Sequence, residues 1–400
     1  MVSTSKGVLV EKARITSIDT VRGFVMVIMA LDHVRDYFHI DAFNFNATDL
    51  ERTSAVLFFT RWITHICAPT FVLLSGVSAR LGLEKKSKKE LSIHLLTRGL
   101  WLIVLELTII RFGLVFNFYY DFTLFLVIWV IGLSMVVLSA LIFLGERAVL
   151  IIGLILVFGH NAFDGMRLQP GDSGFGLWTF LNQAGLLQVS AERFFLVPYA
   201  LIPWLGIMLV GYGTAHWFTR DFDSKVRATY LLRAGILSIV LFFLLRLMNV
   251  YGDPVPWSPQ KDFVFTIMSF LNSTKSPASL LFTLMTLGIT FLLLWLMEKS
   301  KGLNVKPLIV FGRVPLFYFI LHFYIAHFLS LVLMLITTGK SFSDIDFHFS
   351  KGFGGIPPNT GVALPWVYVA WIGIVLVCYP ICKKYNEFKS THNYWWLSYF

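Results

Sequence analysis

The sequence predicts an all-α fold, a polytopic integral membrane bundle of about ten transmembrane helices with both termini in the cytoplasm. Three observations lead there. The 400-residue chain is 56% hydrophobic and only 14% charged, less charge than soluble domains carry. Apolar runs long enough to cross about 30 Å of hydrocarbon recur from one end to the other. The 33 Lys and Arg fall unevenly between alternate loops.

The apolar runs are 20–38, 56–80, 94–114, 122–143, 148–162, 194–218, 229–248, 279–297, 309–336 and 363–382. With the N-terminus inside, the inner loops and tails hold 18 Lys/Arg, including "RLGLEKKSKKE" and "CKKYNEFK", and the longer outer loops hold seven. That bias follows the positive-inside rule, and an even number of spans returns the C-terminus to the same side. A net charge of +10 also raises nucleic-acid binding. The basic residues are spread around the inner rim, so no nucleic-acid partner is expected.

The first twenty residues are polar and basic and lack a small-residue cleavage site, so the first helix is expected to act as an uncleaved anchor. Residues 1–400 read as one membrane domain, with cytoplasmic tails at 1–18 and 384–400. The outer segments 163–193, 249–278 and 337–362 are rich in Gly, Pro, Asn and Trp, as in "YGDPVPWSPQKDF". They predict turns and short interfacial helices, and a face able to recognise something bulky. Cys67, Cys378 and Cys382 suggest neither a disulfide framework nor a metal site.

The chemistry lies in the charges inside the spans. With Arg80, the last residue of 56–80, counted in the inner loop, eight cations lie inside the spans and all are Arg: Arg22, Arg35, Arg61, Arg98, Arg111, Arg233, Arg246 and Arg313. Membrane-embedded charges usually face a protein interior or a wet cavity, and the planar guanidinium suits bidentate binding of carboxylate or phosphate. In "MALDHVRDYFH", Asp32, Arg35, Asp36 and His39 share one helical face by their i, i+3, i+4 spacing. "FFTRWITHICAPTFVLLSG" sets Arg61 and His65 one turn apart at a similar depth. Glu106, Arg111, Arg246, His322 and His327 fall in the middle or outer half, and Arg22, Arg98, Arg233 and Arg313 near the inner ends. The expectation is an outer acid/base cluster above an inner ring of arginines. Each residue has a plainer reading as well: Asp32 and Asp36 neutralising Arg35 and Arg61, a buried histidine such as His160 or His327 serving packing, Arg80 and Arg233 obeying the charge rule.

Five stretches carry a family resemblance: "SIDTVRGFVMVIMALDHVRDYFH", "LFFTRWITHICAPTFVLLSG", "SFLNSTKSPASLLFTLMTLG", "FGRVPLFYFILHFYIAH" and the "WWLSY" ending. Over nearly its whole length the chain resembles bacterial membrane proteins grouped with the heparan-α-glucosaminide N-acetyltransferase catalytic domain, within a wider set of transmembrane acyltransferases. That resemblance implies a multi-pass protein of the bacterial inner membrane. It implies transfer of an acyl group, acetyl first among them, from cytoplasmic acyl-CoA to a hydroxyl or amine of an extracytoplasmic sugar or glycan. Many type-3 acyltransferases of the wider set begin with an Arg-Gly pair and carry a key histidine eleven residues after the Arg. Arg22-Gly23 and His33 have that spacing, so the resemblance places the catalytic histidine on His33. The heparan enzyme departs here, with asparagine at the matching position and its histidine in the following outer loop, where this chain reads "DAFNFNATD" and His39 is nearest.

On this reading His33 is the general base, oriented by Asp36 or Asp32, with Arg61 or His65 on the oxyanion. Arg22, Arg98, Lys306 and Arg313 would meet the acyl-CoA phosphates, and Arg35, His39, Glu106, Arg111, Arg246 and His322 would serve the acceptor, with no metal. A rival class is a proton-coupled transporter or flippase using the same Asp/His/Arg cluster, and a third a structural membrane partner with a decayed site. The oligomeric state stays open, a homo-oligomer included.

Overall fold

The computed structural model describes residues 15–300 and 305–399. The chain runs through α1 (Thr16–Phe38), α2 (Ala55–Trp62), α3 (Cys67–Leu81), α4 (Lys88–Leu105), α5 (Arg111–Val115), β1 (Phe122–Leu124), α6 (Val127–Leu141), α7 (Glu146–Gly159) and α8 (Phe175–Trp178). It continues through β2 (Gly185–Ser190), β3 (Arg193–Val197), α9 (Leu201–Thr214), α10 (Ser224–Met248), α11 (Phe263–Leu271), α12 (Leu280–Lys299), α13 (Lys306–Arg313), α14 (Pro315–Thr338) and α15 (Leu364–Thr391).

Among the described residues, eight continuous helical segments are long and apolar enough to cross a membrane, which marks a multi-pass membrane protein. The other two expected spans differ in kind: 20–38 lies in α1, and 194–218 begins in strand β3 before it enters α9. Five Asp and Arg residues interrupt the apolar run of α1, namely Asp19, Arg22, Asp32, Arg35 and Asp36. Helix α9, continued by the tight turn Ala215–Phe218, lies almost wholly buried.

Several boundaries move for physical reasons. The span expected over 309–336 breaks at Val314, because Pro315 lacks the N–H to continue α13 and instead starts α14. The run 56–80 is two helices joined by a tight turn, Ile63–Ile66, that carries His65. The run 94–114 passes through a wide turn, Glu106–Ile110, between α4 and α5, the kind of bulge that recurs at functional places. Strands also appear: β2 in the segment 163–193 expected as turns, and β1 and most of β3 at the starts of the runs 122–143 and 194–218 that were expected to be spans. β1 pairs parallel with β3, which pairs antiparallel with β2, so the order is β1-β3-β2.

Helix α1 lies at the centre, packed on α3, α12, α13, α14 and α15. Its approach to α13 is close enough to require glycine on both sides. A Cβ on Gly23 would lie 1.7 Å from the Leu308 carbonyl oxygen, and one on Gly312 would lie 1.8 Å from that of Asp19. This contact brings Arg22 and Arg313 around the buried Asp19, with Arg22 Nη1 3.8 Å and Arg313 Nε 3.5 Å from its carboxylate. The Arg22-Gly23 pair is thus a packing device as well as a charge.

Candidate functional site

A chamber of about 480 Å³ opens toward the loop-rich end of the bundle, where the chain leaves α1. Its walls are mostly aromatic and aliphatic, among them Tyr37, Phe43, Phe122, Phe319, Phe323, Phe349 and Phe353, and its polar groups are Asp32, His33, Asp36, Arg61, Lys275 and Ser276. A mostly apolar pocket with a few convergent polar groups is the usual form of a binding or active site.

His33 is held by α14. Its Nδ1 lies 2.7 Å from Nε2 of His322, and Nδ1 of His322 lies 2.7 Å from the Tyr318 carbonyl oxygen. A carbonyl only accepts, so His322 Nδ1 carries a proton, and the neutral ring then accepts at Nε2. His33 Nδ1 must therefore donate, which leaves its Nε2 with a free lone pair. The ring is fixed by Phe323, stacked at 4.0 Å, and by the edge of Phe319 at 5.8 Å. Residues 318, 319, 322 and 323 make this possible because they share one face of α14. The carboxylates expected to orient His33 do something else.

Asp32 is paired with Arg61 and sits 3.1 Å from Arg35, and Arg35 bonds Asp36 at 2.5 Å. Arg61 also donates to Thr64 Oγ1 at 3.0 Å. The result is a ladder, Asp36–Arg35–Asp32–Arg61, along the chamber wall. Behind it a polar vestibule of about 230 Å³, lined by Arg35, His39 and Asp41, shares Asp36 and Arg61 with the chamber. His65 is buried beside Phe282 at 5.4 Å and does not line the chamber, and among the described residues its Nδ1 has no hydrogen-bond partner.

At the opposite end of α1 a second cavity, about 620 Å³, is lined by Arg22, Lys85, Lys86, His94, Arg98, Arg313 and Lys389. Arg22 Nη2 donates to Ser78 Oγ at 3.0 Å there. Three of the four expected phosphate-binding cations converge in this cavity; Lys306 is exposed at the start of α13 and is not among its lining residues. Between the two cavities lies a narrow apolar space of about 90 Å³, walled by Met26, Met29, Leu102, Ile128 and Ile131 among others. It shares Phe71, Ser75, Arg98, Met135, Pro315 and Leu316 with the basic cavity, and Val127 and Phe319 with the chamber. The three spaces therefore lie end to end along α1, whose Arg22 and His33 are 11 residues, about 16 Å, apart.

Other residues expected to serve an acceptor brace the walls instead. Glu106 accepts from the backbone N–H of Trp129 at 3.1 Å and so caps the start of α6, where unpaired N–H groups favour a carboxylate. Arg111 donates to the carbonyl and side-chain oxygens of Asn117 at 2.6 and 3.0 Å, and Asn117 Nδ2 donates to Phe347 O at 2.7 Å. That chain fixes the loop bearing Phe349 and Phe353. Arg246 donates to four carbonyls, Val255, Ser269, Phe270 and Asn272, at 2.9–3.1 Å. None of the three lines the chamber. His160 and His327 bond backbone carbonyls, a packing role. Among the described residues no group of three or more His, Cys, Asp or Glu is arranged to hold a metal ion.

Sequence reasoning missed Lys275, between α11 and α12. Burial, with the Arg61 guanidinium close by, pushes its amine down to about 7, against the pull of Asp32. The signal was a single Lys in "NSTKSPASLL", immediately before an apolar span.

Residues 14–246 match the family model described as heparan-alpha-glucosaminide N-acetyltransferase, catalytic, which is more than half of the chain. No curated protein matches it.

Proposed function

Because the chain belongs to the heparan-α-glucosaminide N-acetyltransferase catalytic-domain family, we propose that it is a membrane acyltransferase that carries an acyl group from acyl-CoA at the basic end to an acceptor entering from the loop-rich end. Acetyl is the first acyl group to test, and a hydroxyl or amine of a sugar is the acceptor. The basic end is taken as the cytoplasmic one.

The observation that carries this reading is the run of three cavities along α1. The phosphates of acyl-CoA meet Arg22, Arg98 and Arg313, and the pantetheine arm threads the narrow apolar space between Met26, Met29 and Phe319. The thioester then lies in the chamber beside His33. His33 Nε2 takes the proton of the acceptor O–H or N–H as the acceptor attacks the thioester carbonyl. Arg61, on the chamber wall, stabilises the oxyanion of the tetrahedral intermediate, a contribution often worth a few kcal/mol. Collapse of the intermediate breaks the C–S bond, and the departing thiolate takes the proton from His33. The relay through His322 to the Tyr318 carbonyl holds His33 in the tautomer that this step needs. Separate entrances also suit two substrates kept on opposite sides of a membrane.

The test is thiol release from acetyl-CoA by purified protein, with water or added sugars as acceptor. Activity in the wild type and its loss in His33→Ala, with the variant monodisperse and still stabilised by acetyl-CoA, supports the reading. Full activity in folded His33→Ala overturns the base assignment.

A further inference from the structure

The chamber contains a cation that neither the ion-pair ladder nor the proposed transfer step uses. Of the charges on its wall, Asp32 is taken by Arg35 and Arg61, and Asp36 by Arg35. Counting Arg35 behind the wall, three cations meet two carboxylates. Among the described residues Lys275 has neither an ion pair nor a hydrogen bond, and its Nζ lies 5.5 Å from the centre of the Tyr199 ring. An amine on the chamber wall with no ion pair keeps its three donors available to a ligand. Such an arrangement persists where a ligand completes it.

The loop that carries Lys275 is also built to hold it still. The Asp253 carboxylate accepts from Thr274 N, Thr274 Oγ1 and Ser279 Oγ, all at 2.8 Å, and so grips the chain on both sides of Lys275. Asp253 lies 4.0 Å from Arg246, which holds four carbonyls of the preceding segment. An incidental surface lysine has no need of such a brace, whereas a binding group gains from being preorganised.

We propose that Lys275 anchors an anion subsite in the chamber, taking a carboxylate or phosphate carried by the acceptor or by the transferred acyl chain. The inference rests on the acyl-transfer reading for the identity of the two substrates. The ammonium on one wall and His33 on another would then fix the ligand at two points, its charged group at Lys275 and its reacting carbonyl or hydroxyl at the base. Phosphate and carboxylate remain equivalent here, because a single ammonium distinguishes them poorly.

The experiment uses the full chain in detergent and measures apparent Kd by thermal stabilisation for matched pairs. D-Glucuronate and glucose 6-phosphate are each set against D-glucose, for an acceptor source. Succinyl-CoA is set against butyryl-CoA, for an acyl-chain source. The expected result is that the anionic member of one set binds about tenfold more tightly, the scale of a charge-assisted hydrogen bond. Lys275→Met, or Lys275→Gln where the former does not fold, is expected to remove that ratio, and Lys275→Arg to retain it. Equal affinities within every set in the wild type, or a ratio that Lys275→Met and Lys275→Gln keep, would overturn the proposal. If no acyl-CoA stabilises the protein, the acyl-transfer reading fails, while the monosaccharide pairs still decide for or against the subsite.

Discussion

His33 Nδ1 lies 2.7 Å from His322 Nε2, and this contact, more than either neighbouring carboxylate, decides which nitrogen of His33 is basic. The direction is set by the Tyr318 carbonyl, which can only accept from His322. Replacing His322 therefore acts on tautomer and orientation while leaving His33 in place. His322→Phe is expected to lower kcat for acetyl-CoA thiol release by roughly ten- to a hundredfold, within the range of general-base effects. KM for acetyl-CoA should change little. A parallel rise in KM would point to a structural role instead.

The basic cavity makes a separate prediction. Arg98→Ala and Arg313→Gln each remove a guanidinium from the wall expected to hold phosphates, and each should weaken CoA binding by roughly tenfold. Lys306→Ala, on a residue outside that wall, should weaken it less. Titrations of CoA by thermal stabilisation, repeated at higher salt, compare the three. Equal effects from all three variants would mean a diffuse surface potential and no built phosphate site.

The narrow space between the cavities can be closed while His33 and the arginines are left in place. Ser75 borders both the narrow space and the basic cavity, and Ser75→Phe would fill much of a gap of about 90 Å³. Overpacking of this kind costs about 1–3 kcal/mol of stability. Binding of the nucleotide part of CoA should persist while thiol release from acetyl-CoA is lost. Unchanged release would place the path elsewhere.

Gly23→Ala tests the packing that places the arginines. Its Cβ would lie 1.7 Å from the Leu308 carbonyl oxygen and 2.5 Å from the Leu308 carbonyl carbon, so backbone has to move. A loss of roughly 1–3 kcal/mol in stability is expected, read as a lower Tm in detergent, with weaker CoA binding as α13 shifts. An unaltered Tm would contradict the close approach of α1 and α13.

Lys275 supplies a pH dependence whose sign is fixed. Its amine is about 7 in the protein against 10.5 for an ordinary lysine, with burial as the main cause. The titratable and charged groups around it are Asp32, His33 and Asp36 from α1, Arg61 from α2, His65 from the turn Ile63–Ile66, Cys67 from α3 and the Tyr199 ring. Below about 7 the amine is charged and able to hold an anion, and above that the free protein loses the charge. Affinity for the anionic member of a pair should therefore fall as pH rises from 6.5 through 8.5, and Lys275→Arg should flatten the fall. An affinity that rises with pH contradicts the assignment.

Much of this arrangement was legible in the sequence. The hydrophobic runs located the helices, Pro315 explains where one of them breaks, and the spacing from Arg22 to His33 gave the two ends of α1. Asp32 and Arg61 were legible as partners because charges at equal depth in adjacent spans tend to pair. What the sequence withheld is rotational phase. Glu106, Arg111 and Arg246 have the composition and depth of site residues, but their side chains point at helix ends and loop carbonyls. His322 was legible as buried and polar, and its contact with His33 depends on which face of α14 meets α1. Lys275 was hidden because nothing local to a loop says that it folds back over a cavity.

The most direct test of the central claim is the position of acetyl-CoA in a structure of the full chain. The account predicts its phosphates among Arg22, Arg98 and Arg313, its pantetheine arm between Met29 and Phe319, and its thioester carbonyl in the chamber within about 4 Å of His33 Nε2, close to hydrogen-bond reach. Acetyl-CoA bound with its thioester outside the chamber, or with the narrow space closed and no portion of the arm within it, would contradict it.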